Sequence, residues 1–241
     1  SPYRYVGVNF NSQGNPNLKP SDHYNLDLKW DFNPTPTELI SLTAFYKLTK
    51  NPISRIEVAS AGGYLSYENI ADKATVAGVE VEIRKNLFVR PVSNAAHGMN
   101  KLSLGLNGSY IYTNAKMPLA TVTTGSQLEG AAPWIVNFDL SHNFTKGERS
   151  FVNTLVLNYV SDKIYTIGTQ GYQDIMEQGV LTLDFVSQAK LNNHLSFNLK
   201  ARNLLNPSYK LSRKANENGE KVILNDYKKG INISLGVSCT F

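Results

Sequence analysis

Little in these 241 residues invites a catalytic or metal-binding reading. A single cysteine, Cys239, excludes an internal disulfide and says nothing about redox compartment. Four histidines, His23, His97, His142 and His194, stand far apart, with no second ligand at i+2 or i+4, which argues against a metal cluster. Ser141–His142 and His194–Ser196 are the only near serine–histidine neighbours, and in the first pair adjacent strand residues point to opposite faces. Neither a glycine-rich phosphate loop nor a G-x-S-x-G elbow occurs, and no nucleic-acid motif is present. Catalytic residues, metal ligands and cofactors are therefore expected to be none.

Long apolar runs are also lacking. No stretch approaches the roughly 18 residues of a spanning helix, and mean hydropathy is −0.27. That does not exclude a membrane protein, because a spanning strand needs apolar residues only at alternate positions. The opening "SPYRYVGVNF" has no basic segment followed by an apolar stretch, so the expectation is a chain that is not exported or whose leader has been removed. The net charge of +5 is scattered. Its one concentration is late: Lys210, Arg213, Lys214, Lys221, Lys228 and Lys229. Such a stretch could draw lipid phosphates or an anionic ligand, although a solvated loop is the simpler account.

What the chain does have is period-two alternation from Tyr24 to the end, with hardly any helical periodicity. "YNLDLKWDF" sets Tyr24, Leu26, Leu28, Trp30 and Phe32 against Asn25, Asp27, Lys29 and Asp31. Further strands carry Ile40–Leu48, Val79–Ile83, Leu102–Tyr112, Trp134–Phe144, Leu155–Tyr159, Leu181–Phe185 and Leu195–Ala201 on one face. The ninth, "INISLGVSCTF", alternates Ile231, Ile233, Leu235, Val237, Cys239 and Phe241 with small or polar residues. Several are about ten residues long, enough for a tilted strand to cross a bilayer.

A soluble β-sandwich alternates too, so the connections matter. After strands one, five and seven they are short ("NPTPTE", "TKGERS", "NNH"), with "FVRPVSNAAHGM" after strand three as the exception. After strands two, four, six and eight each runs to roughly 20 residues, and short turns opposite long loops is the outer-membrane barrel arrangement. The long connections, 50–67, 114–133, 165–179 and 206–229, are the expected ligand-contacting parts of this chain.

Aromatics on the apolar face gather near strand ends. Tyr46, Tyr110, Tyr112, Trp134 and Tyr159 fall at the long-loop end, and Trp30, Phe32, Phe144, Phe151 and Phe241 at the other. Two such groups match the girdles of a barrel in lipid. The opposite face carries Asp27, Lys29, Glu80, Glu82, Arg84, Asp139, Asp184, Lys200 and Arg202. In a barrel these face the lumen; in a sandwich they face water. Nine strands cannot close an all-antiparallel barrel, which takes an even number, so the chain reads as the end of a larger one. "RYVGVNF" could belong to one more strand.

Four local motifs carry a family resemblance. "NPNLKPS" (Asn15, Pro16, Leu18, Lys19, Pro20, ending at Ser21) resembles the extracellular NP-x-LKPE loop of TonB-dependent outer-membrane transporters, with Ser21 in place of Glu. "NIADKATVAGVEVEI" resembles that family's N-x-G-x-A-x-x-x-GVE strand, with Asp72 where Gly is common and Gly78, Val79 and Glu80 matching. "ARNLLNPSY" is similar to its penultimate-strand motif through Asn203, Leu204, Asn206 and Tyr209. "LGVSCTF" resembles its terminal strand, with Leu235, Val237 and Phe241 as the signal by which the barrel-assembly machinery recognises such proteins.

The resemblance implies an all-β fold: a transmembrane antiparallel barrel of about 22 strands with a plugged lumen. Residues 1–241 would supply its C-terminal portion, about the last nine strands, without the N-terminal plug and the earlier strands. It implies a bacterial outer-membrane receptor that imports a scarce substrate (iron chelate, vitamin, peptide or glycan) with energy from the TonB system. The implied partners are the rest of the same transporter, the TonB–ExbB–ExbD complex through the absent N-terminal part, the barrel-assembly machinery and outer-membrane lipid. A passive porin, a barrel enzyme and a soluble β-sandwich binding module are the alternatives.

Overall fold

The computed structural model describes residues 4–7, 10–58, 64–92, 98–117, 127–215 and 219–240. Two short strands, β1 (Arg4–Val6) and β2 (Asn11–Gln13), precede two long ones, β3 (Asp22–Phe32) and β4 (Leu39–Lys50). A second short pair, β5 (Ile53–Val58) and β6 (Tyr64–Asn69), leads to four long strands: β7 (Lys73–Pro91), β8 (Met99–Ala115), β9 (Trp134–Lys146) and β10 (Arg149–Val160). Short β11 (Lys163–Thr166) and β12 (Ile175–Glu177) come before β13 (Val180–Lys190) and β14 (Leu195–Arg202). The hairpin β15 (Ser208–Lys214) and β16 (Lys221–Lys228) then leads to β17 (Asn232–Cys239).

The nine long strands form one sheet in the order β17-β14-β13-β10-β9-β8-β7-β4-β3, and every neighbouring pair is antiparallel. They are the nine that the alternation marks out. Among the described residues β3 and β17 each have one neighbour in this sheet, so both are edges. Phe241 lies outside the described residues, as does His97.

Register carries the alternation across the whole sheet. One row of paired residues runs Phe32–Ile40–Ile83–Leu106–Phe138–Leu157–Leu183, and the next runs Asp31–Ser41–Glu82–Asn107–Asn137–Asn158–Thr182. Successive side chains point to opposite faces, so the sheet has one apolar and one polar face. The apolar face is the bare one. In the sheet interior Leu42 is 48% and Val79 45% exposed, whereas Ser41 on the polar face is 2% exposed. A sandwich would bury that stripe under a second sheet; among the described residues nothing covers it.

Local chemistry fixes the turns. Gly147, at φ 59°, makes the two-residue link between β9 and β10. Asn192 Oδ1 accepts from the backbone N–H groups of His194 and Leu195 to start β14. The exception among the short connections shrinks: β7 runs on to Pro91 and β8 begins at Met99, leaving 92–98 as the link. Alternation hides this extension because a bulge between Asn86 and Phe88 shifts the register there. The described residues of "RYVGVNF" do not extend the large sheet. Its β1 pairs with β2 and belongs to a small four-stranded sheet, β1-β2-β6-β5.

Candidate functional site

All four long connections leave the same end of the sheet, and their described residues are folded together. Strands of three of these connections, joined by β1 and β2 from before the first long strand, form two small sheets, β1-β2-β6-β5 and β11-β12-β15-β16, bridged where Ile56 of β5 pairs in parallel with Ile167. Ile167 N donates to Arg55 O at 3.1 Å and Glu57 N to Ile167 O at 3.2 Å, so both hydrogen bonds of this single parallel bridge are made. Around it lies the largest cluster of buried apolar side chains: Ile56, Ile70, Ala71, Ala74, Ala115, Ile164 and Ile167. Among the described residues the compact core therefore sits at the loop end, in a cap packed onto the ends of β7 and β8, and not along the length of the nine-stranded sheet.

Strand β5 is the hub of the cap. Arg55 Nη2 lies 3.0 Å from Glu129 Oε1, and Arg55 N donates to Glu129 Oε2 at 2.5 Å. The same guanidinium donates to Tyr165 O through Nε at 3.0 Å and covers the Tyr165 ring at 3.8 Å. Two residues on, Glu57 pairs with Arg213 of β15, both about one-sixth exposed, and Arg213 lies over the Tyr172 ring. One short strand thus ties the connection it belongs to onto the other three. Burial pushes the Glu129 carboxyl above the usual carboxylate range, against the pull of Arg55, and burial lowers the Arg213 guanidinium.

The motif positions hold this cap to the sheet. Asn15 Nδ2 donates to Tyr67 O at 2.9 Å. Lys19 N donates to Asn69 Oδ1 at 2.8 Å, while Asn69 Nδ2 donates to Lys19 O and Asn51 O. Ser21 Oγ donates to Asn51 O at 2.7 Å. "NPNLKPS" and the start of "NIADKATVAGVEVEI" are thus two halves of one clasp. Pro16, Leu18 and Pro20 lie in its first half. In the second motif Gly78 is required by close approach: a Cβ there would overlap the Phe45 ring and Tyr110 O. Val79 falls on the apolar face beside Ala44 and Tyr110, and Glu80 on the polar face.

"ARNLLNPSY" forms the neck of the last connection. Asn203 and Asn206 have positive φ, 58° and 44°, which asparagine tolerates better than most residues. Asn203 Nδ2 donates to Gly230 O at 2.7 Å, and Asn206 Oδ1 accepts from Gly230 N at 3.1 Å. Leu204 N donates to Leu183 O, and Tyr209 stacks on Tyr227 with ring centroids 5.5 Å apart. Gly230, itself at φ 81°, is the partner that sequence reading missed; a glycine one residue before the last alternating strand was its available signal. Leu235 and Val237 lie on the apolar face of the edge strand β17.

Asp27, Lys29, Glu82, Arg84, Asp139, Asp184, Lys200 and Arg202 share the polar face by register. Arg84–Glu82 (2.6 Å) and Lys29–Asp31 (3.3 Å) pair along their strands. Asn107 Nδ2 donates to Glu80 Oε1 at 2.7 Å, and Asp184 Oδ1 accepts from Asn203 N at 2.8 Å. The face is a hydrogen-bonded polar surface on which one open recess gathers Glu82, Arg84 and Asp139 with Asn107 and Asn137.

The serine–histidine pairs do not assemble. Ser141 Oγ bonds Thr154 Oγ1 on one face while His142 Nε2 bonds Asn100 Oδ1 on the other, and His194 Nδ1 bonds Thr240 O. Among the described residues no group of three metal-ligating side chains comes together.

The TonB dependent receptor-like, beta-barrel family model matches residues 1–204. The chain belongs to that family. Its members are transporters and receptors of the bacterial outer membrane, not an enzyme family, and in general they work with a plug domain and TonB. Comparisons with curated proteins and with solved structures give no match. For a TonB-dependent receptor barrel the bare apolar stripe has a physical reason: lipid is its solvent. The match stops at residue 204, so the assignments of Asn206, Tyr209, Leu235 and Val237 rest on the residues themselves.

Proposed function

We propose that the protein is an outer-membrane receptor that imports a scarce substrate with TonB-derived energy, residues 1–241 supplying about nine strands of its wall and the cap above them. The observation that carries this reading is the inverted burial among the described residues: an uncovered apolar face along nine antiparallel strands, with the compact core gathered at the end where the four long connections leave. The cap faces the outside and offers substrate its first contacts. The polar face lines the lumen, where Glu80, Glu82, Arg84, Lys200 and Arg202 meet the plug or lumen water, since a buried unpaired charge is costly. The edges β3 and β17 pair with the remaining strands, because open edges cannot stand in hydrocarbon, and the assembly machinery reads Leu235, Val237 and Phe241 on the last strand.

The test is uptake by the full-length receptor in cells with and without TonB, using labelled ferric chelate, cobalamin, oligopeptide and oligosaccharide. Accumulation of at least one probe should stop when TonB is deleted. Uptake that continues undiminished without TonB would make the protein a passive channel. Glu80→Gln and Arg202→Gln should leave substrate binding intact; binding abolished at normal expression would move these charges into the substrate path.

A further inference from the structure

Where the apolar face meets the cap, one row of the sheet is cationic. Lys50, the last residue of β4, pairs with Asp22 of β3 on one side and with Lys73, the first residue of β7, on the other. β7 and β8 are paired as far as Ala74 and Ala115, and Lys116 follows directly, one residue past the end of the ladder on the side of Lys73 away from Lys50. Lys73 thus has a lysine on each side. Like charges directly opposite one another across a ladder are destabilising. All three lysines are exposed, and among the described residues none forms an ion pair. Lys50 Nζ instead lies 5.3 Å from the centre of the Tyr24 ring.

The position of the row is as informative as its charge. Alternation puts Lys50 and Lys73 on the apolar face, one step beyond the Tyr24–Leu48–Thr75 row and two beyond Leu26–Tyr46–Ala77–Tyr112. Aromatic belts mark the boundary between hydrocarbon and headgroups, so cations just outside the belt stand at the level of lipid phosphates. With strands 4.7–4.9 Å apart, three lysines span about 10 Å, a width suited to one headgroup. The opposing charges lie to the sides: Asp22 faces Lys50 from the far strand, while Glu68 and Asp72 line a recess with Lys19 and Lys116.

We infer that Lys50, Lys73 and Lys116 form a binding site for the phosphate of an anionic lipid in the leaflet at the cap end of the barrel. This rests on the membrane reading above. The site is peripheral, on the outer surface of the wall, and separate from any substrate path through the lumen.

Native mass spectrometry of the full-length receptor in a non-ionic detergent tests it, with a bisphosphorylated glycolipid and its dephosphorylated form as probes. The wild type should retain the phosphorylated lipid, and K50Q/K73Q/K116Q should retain it at least about tenfold less, consistent with the pull of cations near a headgroup. Lys73→Gln alone should lower retention severalfold, which keeps the test alive if the triple variant folds poorly. The triple arginine variant should retain the lipid. Lys228→Gln, which removes one charge elsewhere, should change nothing. Excess inorganic phosphate should not displace the lipid. Equal retention by wild type and glutamine variants, or displacement by free phosphate, would overturn the inference. Membrane insertion of a Leu106→Arg variant separates the two readings. Undiminished insertion would undo the membrane assignment itself; defective insertion alongside unchanged lipid retention would remove only the lysine site.

Discussion

The nine-stranded wall and the cap are built from the same kind of strand, yet they bury opposite things. In the wall, Leu28 and Leu235 are 74% and 80% exposed on an apolar face with no protein cover. In the cap, Ile167 and Ile175 are 1% and 0% exposed. Alternation alone does not say which face turns inward; the surrounding solvent does. On the proposed reading the wall leaves its apolar side to lipid and satisfies its backbone across the sheet, as hydrocarbon demands. On the same reading the cap stands in water and must make a core of its own.

Substitutions should separate the two regions, beginning with the cap core. Ile167→Ala should cost about 2–5 kcal/mol, as loss of a fully buried aliphatic side chain does. The damage should stay local: protease should cut the four connections faster while the full-length barrel still resists heating in detergent. Loss of both together would mean that cap and wall are one cooperative unit.

In the wall, Leu106→Arg should cost about 2–4 kcal/mol at mid-membrane, while Asn107→Arg on the other face should be tolerated. Yields of correctly inserted full-length protein would read this out, and equal damage from both would erase the distinction between faces. Gly78→Ala is a finer probe of the polar face. The added methyl would meet the Phe45 ring and Tyr110 O, and overpacking of this kind costs about 1–3 kcal/mol. Gly78→Ala combined with Phe45→Ala should recover part of the loss on unfolding in denaturant.

The smallest effect concerns pH in the cap. Glu129 binds its proton more tightly in the folded cap than in the unfolded chain, because burial raises its carboxyl. Its contribution to stability is therefore present below the unfolded carboxylate value and lost as pH rises through the raised one. Protease resistance of the cap should increase slightly on mild acidification, and Glu129→Gln should flatten that slope.

The sequence made the wall legible because alternation over eight or more residues is hard to mistake: Trp30, Leu42, Val81, Val136 and Leu181 each sit on the expected face. It was illegible where the phase slips, at Asn86–Phe88, and where strands are too short to show a period, as with β11 and β12. The apolar face also holds polar residues that alternation passes over near the turn end: Lys85 opposite Leu104, the His142–Asn100 pair, and Ser187 bonded to Asn153. The ties of the cap could not be read at all. Arg55 meets Glu129 and Arg213 meets Glu57 across 74 and 156 residues of chain, and nothing local to either residue announces its partner. The motif residues were visible, but their clasp and neck roles emerged only with Asn51, Asp184 and Gly230 beside them.

The central claim is that the bare apolar face of the wall faces lipid. Spin labels placed one at a time at residues 102–108 of the full-length receptor in bilayers test it most directly, read by collision with oxygen, which partitions into lipid, and with a water-soluble nickel chelate. Oxygen accessibility should peak at 102, 104, 106 and 108 and fall between them, with the largest contrast at Leu106 and Asn107. A flat profile, or nickel accessibility peaking at the even positions, would contradict it.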